Sequence, residues 1–211
     1  GDPPRHAGHD QHGVDERVVM IGGDVAAVQQ SVDAGGVIAS AGESEALARS
    51  VPDSGGVVIV PALSGLGAPH WQADARALFC GITFNTTRAQ MARAVTDSMA
   101  FQVHEVFAVM SAQSPAPLGK LYADGGPSKN TFLMQCVADT LNHPVIQCDA
   151  PEVSALGAAY LAGLALGVWP DLAAIAALPR GHTVLPPQAG DRAARLAVWE
   201  DAIKRSTLPG V

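Results

Sequence analysis

Residues 119–142, GKLYADGGPSKNTFLMQCVADTLN, constrain this chain more than any other stretch. A short apolar run, Leu121-Tyr122-Ala123, is cut by Asp124-Gly125-Gly126, and a helical pattern opens almost at once. Two adjacent glycines at the mouth of a helix let the backbone come close to a ligand, because no Cβ obstructs it and φ can be positive. The helix behind them offers unpaired N–H groups and the positive end of its dipole, an arrangement suited to a phosphate. A plain strand–turn–helix connection that happens to use Gly-Gly fits the same residues equally well. On its own the turn leaves both readings open.

The rest of the chain alternates strand and helix patterns around this stretch. Val18 to Ile21 and Val25 to Val28 read as short strands about Gly22-Gly23-Asp24, and residues 44–50 as a short helix. Val57 to Leu63 is a near-continuous β-branched run, expected of a strand covered on both faces, and Ala77 to Ile82 offers another strand. Between them SGLGAPHW is too rich in Gly and Pro for regular structure. Thr86 or Thr87 caps a long helix to about Met110, with Met91, Val95, Met99, Val103, Val106 and Met110 spaced by threes and fours as a core face. Val145 to Cys148 predicts a strand. Ser154 is read as the cap of a helix from Ala155 to Leu166 that ends at Gly167. Residues 170–178 predict a short helix, 179–190 a loop, and Asp191 to Arg205 an amphipathic helix around Leu196, Trp199 and Ile203. Such alternation indicates an α/β layered domain.

Composition narrows the function classes. A net charge of −7 with no Lys/Arg run gives no reason to expect nucleic acid. The longest apolar run, residues 155–168, is too short for a bilayer and is broken by Gly157, Gly163 and Gly167, so no membrane partner is expected. The first residues lack an apolar signal core, and a cytoplasmic location is the expectation. Cys80, Cys136 and Cys148 have no metal spacing and read as small buried side chains in a reducing compartment. His6, His9 and His12 belong to a Gly/Pro-rich arm, so no metal site is assigned to them. His104 and Glu105 are given no chemistry.

Three segments recur here in a familiar order: VPALSGLGAPHWQADARALFCGI, TTRAQMARAVTDSMAFQ and ADGGPSKNTFLMQCVADTL, followed by VSALGAAYLAGLALGVW. Together they resemble the C-terminal domain of FGGY-type carbohydrate kinases. Within that family SGLGAPHW and FLMQ-x-x-AD look most like the glycerol-phosphorylating branch. The similarity spans about residues 18–205. It implies the C-terminal lobe of an actin-like ATPase (ribonuclease H-like) fold, a mixed sheet with flanking helices, preceded by an arm over 1–17 and followed by a tail over 207–211.

The resemblance also implies a function: an ATP-dependent kinase lobe that binds ATP or ADP with Mg²⁺ and serves transfer to a primary hydroxyl of glycerol or a related polyol or sugar. Gly126 and Asn130 match the family's nucleotide contacts, Gly125 shapes the turn, and Gly35 matches a further nucleotide-contacting glycine. A valine at Gly126 would block the nucleotide, and would strain the backbone if that position is left-handed. No catalytic residue is assigned. The family's base is an Asp near a G-D-Q-x-x-A motif of the N-terminal lobe, and neither it nor the G-T-G phosphate loop is found here. IGGDVAAVQQSVDAG runs directly into GVIASAGESEAL, as if about eleven residues of a family helix were missing after Gly35. Self-association into a homo-oligomer is expected. The alternatives are a non-catalytic remnant acting as a binding or oligomerisation module, or a lobe for another sugar such as a ketopentose.

Overall fold

The computed structural model describes residues 16–18, 41–118, 120–149, 153–179 and 181–208. In chain order the elements are β1 (Glu16–Val18), α1 (Ala41–Arg49), β2 (Val58–Val60), β3 (Leu78–Cys80) and α2 (Arg88–Gln113). Then follow β4 (Lys120–Ala123), a 3₁₀ turn (Pro127–Lys129), α3 (Thr131–Leu141), β5 (Val145–Cys148), α4 (Val153–Ala165), α5 (Leu172–Ala176), β6 (His182–Leu185) and α6 (Arg192–Ser206).

Four strands form a mixed sheet in the order β1-β4-β5-β6. β4 runs parallel to both β1 and β5, with Tyr122 opposite Val18 and Ile146, and β6 closes the edge antiparallel to β5. β2 and β3 make a separate antiparallel pair, Ile59 opposite Phe79.

The long helix forms where its cap residues place it. Thr87 accepts a hydrogen bond from the Gln90 N–H, while Gln90 Oε1 accepts from the Thr87 N–H at 2.8 Å, a reciprocal capping box. Its Val95, Met99 and Val103 are buried in the larger core with Met134 and Val137 of α3 and Leu121, Ala123 and Val145 of the sheet. A smaller core gathers Val60, Ala62, Leu66 and Ala75 with Phe101 of α2 and Trp199, Ala202 and Ile203 of α6. The Phe101 and Trp199 rings are centred 5.3 Å apart, within the range of favourable aromatic pairs. α4 ends on Gly167 at φ +73°: Gly167 N–H donates to Leu164 O and Val168 N–H to Gly163 O, the doubled bond of a Schellman close.

The structure departs from the sequence reading in several of these elements. Residues 179–190, expected as a loop, contain strand β6, whose residues 182–184 are exposed while only Leu185 is buried. The run 57–63 is a strand for just three residues: Pro61, which has no N–H for a ladder, follows Val60, and Leu63 is 50% exposed. The partner strand likewise shrinks to Leu78–Cys80, leaving Ile82 exposed. α4 begins at Val153, so Ser154 lies in its first turn and is not the cap. β1 starts at Glu16, inside the segment assigned to the arm, because pairing with β4 extends it. The strands expected at Val18 to Ile21 and Val25 to Val28 fall mostly outside the described residues.

Two partly buried polar clusters tie the helices together. Asp97 of α2 receives hydrogen bonds from Arg93 Nε at 3.1 Å and Arg195 Nη2 at 2.8 Å. Burial nevertheless pushes its carboxyl above the usual aspartate value, outweighing both guanidinium groups. Nearby, burial and then Asp97 push the Cys136 thiol up to about 12, and all three cysteines are free, so Cys136 is an inert packing residue.

His104 Nε2 lies 3.2 Å from Arg192 Nη2, and Arg192 Nε donates to Thr140 O at 2.5 Å. Burial first, then Arg192, lowers the His104 pKa, with Glu200 opposing weakly. The unfolded chain therefore takes up this proton first as pH falls, and stability is lost below about pH 6.5. The thermal midpoint should drop between about pH 7.5 and pH 5.5, and His104→Gln should make that drop smaller; an identical pH dependence in the variant would rule His104 out as its source.

Candidate functional site

β4 delivers the chain from a buried Ala123 into Asp124-Gly125-Gly126 at its carboxyl end. β4 is flanked by two parallel strands, and in open α/β sheets ligands bind in the crevice outside such carboxyl ends.

Gly125 stands at φ +87°, a conformation open to glycine but strained for any residue with a Cβ. Gly126 has φ −55° and ψ −55°, so the left-handed position considered for Gly126 is in fact its neighbour's. Both glycines are exposed, and a Cβ built on either meets no atom within 4 Å. The open side of the turn is therefore free space that a ligand can enter.

The turn is closed from behind. Lys129 N–H donates to Gly126 O at 3.2 Å and Asn130 N–H to Pro127 O at 3.1 Å. Ser128, only 4% exposed, donates its hydroxyl to Gly125 O at 2.8 Å. Gln147 of β5 reaches across and donates Nε2 to Ser128 O at 2.5 Å. None of these bonds uses the N–H of Gly125 or Gly126.

Asn130 is the N-cap of α3, its Oδ1 accepting the Leu133 N–H at 2.9 Å. This bond orients the carboxamide and leaves the Nδ2 amino group as a donor. α3 does not open directly on the glycines, as the sequence suggested: the 3₁₀ turn intervenes, and the nearest donors are the turn's own N–H groups. The fold thus brings Gly125, Gly126 and Asn130 together, whereas Gly35 lies outside the described residues.

Sequence reasoning missed Ser128 and Gln147. A serine two residues past the glycine pair was a signal of sorts, and Gln147 showed only as a polar residue in an apolar strand. Elsewhere, a cavity of about 240 Å³ is lined by Val57, Ile59, Asp97, Phe101, Arg195 and Trp199 among others and shares no residue with the turn. His70 Nε2 pairs with Glu105 Oε1 at 2.8 Å, tying the SGLGAPHW loop to α2, so Glu105 holds a loop in place. Among the described residues no helix is long and apolar enough to cross a membrane.

Residues 10–166 match the model of the FGGY family of carbohydrate kinases, C-terminal domain. The chain is 47% identical over 185 residues to a glycerol kinase of Gloeobacter violaceus, covering 86% of this chain and 37% of that protein. A glycerol kinase of Bordetella parapertussis is 43% identical over 206 residues, 97% of this chain and 40% of its own length. The chain thus spans about two fifths of the curated relatives it matches. Among solved structures, Plasmodium falciparum glycerol kinase with ADP superposes with a TM-score of 0.80 at 32% identity, over 88% of this chain and 38% of that one. Xylulose kinase from Lactobacillus acidophilus gives 0.71 at 25% identity, over 85% and 37%. The architecture is accordingly that of a lobe of the actin-like ATPase fold shared by these sugar kinases.

Proposed function

Since the chain belongs to the FGGY family of carbohydrate kinases and matches its C-terminal domain, we propose that it is the nucleotide-binding lobe of an ATP-dependent glycerol or polyol kinase. The observation that carries this reading is the turn at the carboxyl end of β4. It combines a left-handed Gly125, an open Cβ side at Gly126 and two N–H groups that no bond of the turn occupies. A relative of the same fold is a glycerol kinase with ADP, which favours a nucleotide over another anion.

In this reading Gly125 and Gly126 donate backbone N–H groups to the nucleotide, and Asn130 Nδ2 donates from the cap of α3. The missing Cβ at Gly126 lets the nucleotide lie against the main chain. Phosphoryl transfer is mostly positioning and charge stabilisation, and this lobe supplies the positioning of the donor. Mg²⁺ bound with the nucleotide would neutralise phosphate charge during transfer, and no residue of this turn is assigned to hold it. The polyol and the base that accepts its hydroxyl proton are assigned to the remaining part of the kinase, so turnover requires both lobes.

Calorimetric titration of the full chain with ADP and Mg²⁺ tests the proposal. Saturable heat at or below millimolar ADP is expected. Silence at millimolar ADP, with a folded chain by circular dichroism, would refute a nucleotide lobe.

A further inference from the structure

We propose that Gln147 is a positioning residue for the nucleotide turn, acting from the neighbouring strand through Ser128. The inference rests on the nucleotide reading above. Three hydrogen-bonding groups in series connect the strand to the glycines. Gln147 Nε2 donates to Ser128 O at 2.5 Å, and the Ser128 hydroxyl donates to Gly125 O at 2.8 Å. The 3₁₀ turn built on Gly126 O then runs into the Asn130 cap.

The rest of the turn is bonded within residues 125–130 and, through the Asn130 cap, to the first turn of α3. Such local bonds fix its shape but not its tilt relative to the sheet. Among the described residues, the Gln147 contact alone joins it by a side-chain hydrogen bond to another strand, across nineteen residues of sequence. Gln147 lies directly opposite Ala123, the last residue before the turn, so the two ends of the linkage start from one point of the ladder. Gly125 and Gly126 are exposed and touch nothing on their Cβ side, so packing does not hold them. Ser128 is buried and couples the two. Hydrogen bonding to the carbonyl of Ser128 also orients that peptide, whose direction sets the carbonyls and N–H groups on either side.

The test uses the full chain and ADP with Mg²⁺. Gln147→Met keeps the length of the side chain and removes the donor, and Gln147→Glu keeps the shape and sets an oxygen against the Ser128 carbonyl. Each should weaken ADP binding about fivefold or more, as expected for a lost orienting hydrogen bond. The thermal midpoint should stay near that of the parent, because Gln147 is only half-buried. Gln147→Arg, which restores a donor, should recover affinity to within about twofold, a rescue that a purely structural role does not give. ADP-induced shifts of the Gly125 and Gly126 amide resonances should shrink in the Met and Glu variants and return in the Arg variant. Parent-like affinity in the Met and Glu variants, with binding by the parent intact, overturns the positioning role alone. Absence of ADP binding by the parent overturns both this role and the nucleotide reading.

Discussion

Gly126→Val is expected to weaken ADP binding by more than tenfold while leaving the fold intact. Gly126 has an ordinary right-handed φ of −55°, so valine meets no backbone strain there beyond its own rotamer preference. A Cβ at this position touches nothing within 4 Å, so no packing is disturbed either. The whole effect of the added methyls falls on whatever approaches the turn from outside. Gly125→Val is the necessary contrast. At φ +87° it strains the backbone as well, so it should lower both affinity and stability. The measurement is paired: calorimetry with ADP and Mg²⁺, and thermal unfolding, on both variants. If Gly126→Val binds ADP as the parent does, the turn is a connection and not a nucleotide contact.

Trp199→Ala should be the most damaging core substitution, costing about 3–5 kcal/mol. The ring is 1% exposed, stacks near Phe101 and fills the centre of the smaller core beside Val60, Leu66 and Ile203. Its indole Nε1 is buried with no hydrogen-bond partner among the described residues. Trp199→Phe removes that unpaired donor along with part of the ring, and the two effects oppose each other, so it should cost far less, about 1 kcal/mol. Urea unfolding monitored by far-UV circular dichroism separates the two. Equal losses in both variants would mean that the ring's volume is not what stabilises this core.

What could be read from the sequence, and what could not, follows from where each signal lives. α2 was legible because its cap and its stripe are local: Thr87 and Gln90 sit three apart, and Val95, Met99 and Val103 recur every fourth residue. β6 was not legible, because His182-Thr183-Val184-Leu185 is a four-residue run between Gly181 and Pro186 with one buried side chain. Its extended form is fixed by the ladder with β5, a tertiary contact that no local pattern encodes. At the site, the glycine pair and Asn130 were legible as a motif. That Asn130 also caps α3, and that Gly125 rather than Gly126 takes the left-handed conformation, depended on the 3₁₀ turn between them. Gln147 was invisible because its role depends on the β4–β5 register.

The middle of α2 has one more consequence. From Ala92 to Phe101 nearly every residue is buried, with Met99 in one core and Phe101, two positions on, in the other. A helix packed on all sides cannot stay behind when one neighbour leaves, since its newly bared apolar face would meet water. The β2–β3 pair and the sheet carrying the glycine turn are therefore coupled in melting through α2, and also through β2 itself, whose Ile59 lies in the larger core and Val60 in the smaller. Loss of order near Trp199 should therefore be felt at β4, and if the turn binds nucleotide as proposed, ligand should raise the melting temperature of a core that it never touches.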